Sequence, residues 1–121
     1  MNKEKQLPDA QDQSPSALVA DDETLLGDAL VKELAKLWPE LTVRDQVADG
    51  TTALARLTQH PPDIAFLDIR MPGLTGIEVA RELTAIWSET EAVRVNPPPL
   101  LVFVTAYGEF ALEAFDSAAV D

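Results

Sequence analysis

Three aspartates and a threonine each stand directly after an apolar run, at positions where they could do chemistry together. Asp21 and Asp22 follow "ALVA" (17–20), Asp68 follows "IAFL" (64–67), and Thr105 with Ala106 follows "LLVFV" (100–104). Carboxylates are hard oxygen ligands of the kind Mg²⁺ takes, one or two at a time, together with waters and the phosphate of a substrate. Such a cation would also relieve the repulsion among acids forced together. Each residue has a plainer role open to it as well. Asp22 could cap a helix that Glu23 then favours through the helix dipole, Asp68 could begin the turn at Pro72-Gly73, and Thr105 could cap the last helix. Those roles leave unexplained why every one of these residues follows a buried strand.

The elements that must position them read as a regular alternation. "ALVA" is short and continuously apolar, as a strand buried on both faces is, and the next run predicts a helix with Leu26, Leu30, Leu34 and Leu37 on one face, limited by Pro39. The more polar "LTVRDQVA" (41–48) suits an edge strand, and Asp49-Gly50 turns the chain into a short helix with Ala53, Leu54 and Leu57 inward. After Pro61-Pro62 come the strand "IAFL", the loop "DIRMPG", and a helix over 75–87 with Ile77, Ala80, Leu83 and Ile86 on its buried face. A loop ending in "NPPP" leads to "LLVFV", and a final helix should turn Phe110, Ala111, Ala114, Phe115 and Ala118 inward. This β-α-β-α-β-α-β-α order implies an α/β fold, a doubly wound parallel sheet with right-handed crossovers. In such sheets the functional crevice lies beyond the carboxyl ends of the strands, near the switch in strand order. The three aspartates and Thr105 all fall at that edge.

Composition narrows the function. With 121 residues, 46% hydrophobic and 25% charged, the chain has material for one core, over residues 16–121, behind a polar leader at 1–15 that is expected to be disordered. No run approaches the roughly 20 apolar residues of a membrane span, the first residues lack a signal-peptide core, and cysteine is absent. These features point to a cytoplasmic protein with no membrane partner and no thiol chemistry. Nine basic residues against 21 acidic ones give a formal charge of −12, which repels phosphate backbones, so nucleic acid is not expected to bind this chain directly. His60, beside Pro61-Pro62, reads as a surface residue, Lys32 and Lys36 as solvated, and Trp38 and Trp87 as the rim of the core.

Taken together, "VADDE", "FLDIRMPGLTG" and "FVTAYGEFALEAF" resemble the acidic pair, the phosphoacceptor loop and the fourth strand of bacterial response-regulator receiver domains, over roughly residues 16–121. The last motif looks most like receivers that precede a LytTR-type DNA-binding domain. The resemblance implies a flavodoxin-like receiver fold in which Asp68 takes a phosphoryl group from a sensor histidine kinase. It implies that Mg²⁺ is held by Asp21, Asp22, Asp68 and the backbone carbonyl of Arg70. It implies further that the Thr105 hydroxyl donates to a phosphoryl oxygen and that the small Ala106 leaves room for the group. Phosphoryl transfer needs alignment and charge neutralisation above all, and a carboxylate can serve as acceptor.

The chain departs from that pattern at its end, where "AAVD" stands before the family's fifth strand, with its switch aromatic and lysine, and before the fifth helix. DNA would then be reached through a C-terminal domain outside this sequence. The strand "LLVFV" would be an exposed edge prone to self-association. Two other functions compete with signalling. A Mg²⁺-dependent aspartyl-phosphate phosphohydrolase would want a second acid two residues after Asp68, where Arg70 stands, and a module that is never phosphorylated has no need of an intact motif.

Overall fold

The apolar runs become the strands of one parallel sheet. The computed structural model describes residues 14–89 and 97–104, and these form β1 (Ser16–Ala20), α1 (Thr24–Leu37), β2 (Thr42–Val47), α2 (Gly50–Gln59), β3 (Ile64–Asp68), α3 (Gly76–Ser88) and β4 (Leu100–Val104). The strand order is β2-β1-β3-β4, every pairing parallel, so the order reverses between β1 and β3. This is the doubly wound parallel sheet expected from the alternation, in the flavodoxin-like order that the resemblance implies, with β2 at one edge. The helix expected over 110–118 lies outside the described residues.

Two cores lie on the two faces of the sheet. On one, α2 and α3 bury Ala53, Leu57, Val79, Ala80, Leu83 and Trp87 against Leu18, Ala20, Ala65 and Leu67. Leu18, Leu57, Leu67 and Leu83 are fully buried, each contributing about 1.5–3 kcal/mol of transfer free energy. On the other face α1 rests Leu30, Val31 and Leu34 on a cluster of Ala17, Val19, Leu41, Ile64 and Phe66.

Two helix faces and the place of one tryptophan differ from expectation. Leu26 and Leu37 are exposed, and α1 instead meets the sheet along Gly27, Leu30, Val31 and Leu34. The helix can come close because its contact line begins at a residue without a side chain. In α3 the buried line runs through Val79, Ala80, Leu83 and Trp87, leaving Ile77 and Ile86 half-buried. Trp87, expected at the rim, is buried in the core between the sheet, α2 and α3, while Trp38 is exposed and packs on neither cluster.

β2 carries a bulge with a consequence for the site. Ala17 pairs with Val43 but Leu18 pairs with Asp45, so Arg44 is an extra residue. Val43 therefore packs on the α1 side and Val47, four residues on, packs on the opposite side. Beyond the bulge Gln46 faces α1, and Asp45 meets Arg56 of α2 at 2.6 Å.

Candidate functional site

The sheet register brings the acids together. Ala20 pairs with Leu67, so Asp21 and Asp68 come next on adjacent strands at the point where the strand order reverses. Asp21 continues the ladder on its other side by donating its backbone N–H to the Val47 carbonyl at 3.0 Å. One carboxylate oxygen from each of Asp21, Asp22 and Asp68 lies within 4.8 Å of the others. Asp22 is exposed, and Asp21 and Asp68 are half-buried.

Asp22 is not the cap of α1. Glu23 is the N-cap residue and its own side chain makes no capping bond; its backbone N–H instead donates to Asp21 Oδ1 at 2.9 Å. Asp21 is thus oriented by the start of α1. Gly27, one turn into the helix, fixes how near α1 stands: a Cβ there would lie 3.0 Å from Gln46 Nε2 and 3.6 Å from the Asp21 Cβ. Gln46 in turn donates to Asp28 Oδ1 at 2.8 Å, tying α1 to β2 beside the site. Apolar patterning overlooks Gly27 and Gln46. A glycine inside a helical run, which costs about 1 kcal/mol against alanine, was the available sign of close packing.

The loop after Asp68 is held by its buried residues and by tight backbone packing. Ile69 and Met71 are buried and Arg70 between them is exposed. Gly73 turns the chain at φ 80°, a left-handed conformation that favours glycine. The Gly76 N–H donates to the Ile69 carbonyl at 2.9 Å, and a Cβ at Gly76 would overlap the Asp68 carbonyl oxygen. Thr75 and Glu78 close a capping box over the start of α3, with bonds of 3.1 and 2.9 Å.

Electrostatics set Asp68 apart. Its partial burial, then the charge of Asp21, then the hydrogen bond and charge of Asp22 push its carboxyl from 3.8 up to about 7; the Arg70 backbone N–H works the other way. A raised acid among acids marks a site short of positive charge, and three clustered hard oxygens are the donor set a Mg²⁺ ion fits. Val104 pairs with Asp68, and Thr105 is the next residue in sequence. Thr105 and Ala106 themselves lie outside the described residues. His60 and the α1 lysines are exposed and stand outside the acid cluster, with Lys36 near Glu33 at 3.7 Å.

Comparison with known proteins agrees with this geometry. The response regulator receiver domain family matches residues 17–121. An uncharacterized response regulatory protein of Vibrio cholerae is 46% identical over 109 residues, which is 90% of this chain and 38% of that protein. The sensory transduction protein LytT of Bacillus cereus is 38% identical over 104 residues, covering 86% of this chain and 38% of that relative. The chain thus spans under half the length of these curated relatives. Among solved structures, the signal receiver domain of the response regulator NarL from Mycobacterium tuberculosis matches with a TM-score of 0.67 and 29% identity, over 88% of this chain and 79% of that one.

Proposed function

The chain belongs to the response regulator receiver domain family, and from that premise we propose that Asp68 accepts a phosphoryl group from a phosphohistidine on a sensor histidine kinase. The observation that carries this reading is the half-buried Asp68 carboxylate, raised in pKa and gathered with Asp21 and Asp22 where the strand order reverses.

The deprotonated Asp68 carboxylate attacks phosphorus. A new P–O bond forms, the P–N bond to the imidazole breaks, and its electron pair stays on the nitrogen. Asp21, Asp22, Asp68 and the Arg70 carbonyl would hold Mg²⁺, which when bound neutralises charge on the carboxylates and on the incoming phosphoryl oxygens. Asp21 is kept in place by the Glu23 N–H, and Asp68 by the loop packed behind it. Thr105 would donate its hydroxyl to a phosphoryl oxygen, and Ala106 would leave space for the group. This is a stoichiometric acceptance rather than turnover, and Arg70, where a phosphohydrolase would place its second acid, supports that distinction.

The output is transcription regulation through a LytTR-type DNA-binding domain. The likeness of LytT supports this, as does "VTAYGEFALEAF". With a charge of −12, this chain leaves DNA contact to that other domain, and the proteins meet in the cytoplasm. Intact-protein mass spectrometry after incubation with Mg²⁺ and acetyl phosphate tests the reading. Addition of one phosphoryl group, absent in Asp68→Asn, is expected. Steady hydrolysis of acetyl phosphate without a modified protein would replace signalling by phosphohydrolase activity.

A further inference from the structure

We propose that Gly50, at the start of α2, is a positioning residue for phosphoryl acceptance: it lets the first turn of α2 serve as the surface against which the loop after Asp68 is held. The inference rests on the phosphoacceptor reading above. Gly50 lies 18 positions before Asp68 in sequence and contributes no functional group, so its role is one of shape.

Three contacts join the two segments. The Gly50 N–H, one of the helix-start donors with no partner inside α2, donates to the Pro72 carbonyl at 3.0 Å. A Cβ at Gly50 would overlap the carbonyl oxygen of Leu74, so any side chain there forces the two backbones apart. Next to it, Gly73 sits so close to Thr51 that a Cβ would lie 2.5 Å from the Thr51 hydroxyl oxygen. The turn of α2 is itself fixed, because Asp49 accepts from the Thr52 N–H at 2.7 Å and from the Thr52 hydroxyl at 2.9 Å.

The far side of the loop is equally confined. Gly76 packs on the Asp68 carbonyl and donates to Ile69, leaving the segment 69–75 between α2 in front and its own helix behind. A displacement imposed at Leu74 therefore passes in part back along the loop toward Arg70 and Asp68. Their backbones are the ones that set the acceptor carboxylate and the proposed Arg70 carbonyl ligand. Reacting groups tolerate little misplacement, since a shift of about 1 Å can cost about 100-fold in rate.

The test uses the full chain. Gly50→Ala is compared with Leu57→Val, which loosens the buried face of the same helix and leaves the backbone contacts of Gly50 and Thr51 with the loop in place. Mg²⁺ affinity is read from the amide shifts of residues 20–23 and 68–70, and phosphorylation from the initial rate with acetyl phosphate. Gly50→Ala should weaken Mg²⁺ binding and slow phosphorylation by about 10- to 100-fold, while Leu57→Val, at a similar loss in Tm, should leave both near wild type. Should Gly50→Ala not fold, Gly73→Asn supplies the same strain at the Thr51 contact, and Thr51→Ala in the same chain should restore the rate. Equal behaviour of Gly50→Ala and Leu57→Val, or of Gly73→Asn with and without Thr51→Ala, overturns the positioning role and leaves the phosphoacceptor reading intact. A wild-type chain that takes no phosphoryl group overturns both.

Discussion

Asp21 and Asp68 are separated by 47 positions in sequence yet follow directly on paired residues, Ala20 and Leu67, of neighbouring parallel strands. Neither carboxylate can withdraw far, because Asp21 is bonded to the start of α1 and Asp68 ends a strand whose other neighbour pairs with it at Val104. The fold therefore maintains a repulsive cluster that costs stability, which is the usual sign of a group kept for function. That cost can be measured.

Stability should fall as pH rises from about 4 to about 7. In that window the folded protein keeps a proton on Asp68, whose pKa is raised from 3.8 to about 7, while the unfolded chain has released it. Folding then binds a proton, so raising the pH opposes folding until both states are deprotonated, and the effect levels off above pH 7. Asp68→Asn should flatten this part of the profile. At pH 8 it should be more stable than wild type by about 1–2 kcal/mol once solvent screening of a half-buried carboxylate is allowed for. Chemical denaturation of the two proteins across pH 4 to 8 checks this, and parallel profiles would contradict it.

Millimolar Mg²⁺ should bind at the three aspartates and raise Tm at neutral pH, since a ligand that binds only the folded state stabilises it. In NMR spectra the amides of residues 20–23 and 68–70 should move first. Asp22→Asn should weaken the affinity by about tenfold or more, because it removes the exposed carboxylate of the cluster while leaving the Asp21 bond to Glu23 in place. Shifts spread evenly over the acidic surface would contradict a defined site.

Alanine should destabilise at position 76, although replacing glycine by alanine in a helix is ordinarily favourable by about 1 kcal/mol. The added Cβ meets the Asp68 carbonyl, and relieving that overlap by moving backbone should cost about 1–3 kcal/mol. Urea unfolding midpoints read the sign directly. Leu57→Ala is the reference for ordinary core damage at about 2–5 kcal/mol, since Leu57 is fully buried.

The parts of this protein most legible in the sequence were those where one signal dominates. Each apolar run is a strand, and the acids after β1 and β3 gather beyond their carboxyl ends, because parallel strands buried on both faces leave no competing pattern to read. Helix faces are less legible. Leu26 and Leu37 continue the spacing of Leu30 and Leu34 but are exposed, since the approach of α1 is set by Gly27, which carries no hydrophobic signal. In β2 the bulge at Arg44 breaks the alternation that would put Val43 and Val47 on one face. The backbone contacts of Gly50, Gly73 and Gly76 were legible only as turn signals, because what they exclude is a clash with segments distant in sequence.

Trapping the modified residue tests the central claim most directly. After incubation with Mg²⁺ and acetyl phosphate, borohydride reduces an aspartyl phosphate to homoserine, and tandem mass spectrometry of the digested protein identifies which aspartate has changed. The account predicts conversion at Asp68 alone, dependent on Mg²⁺ and lost in Asp22→Asn or greatly slowed there. An unchanged Asp68, or conversion at Asp21 or Asp22 in its place, would contradict it.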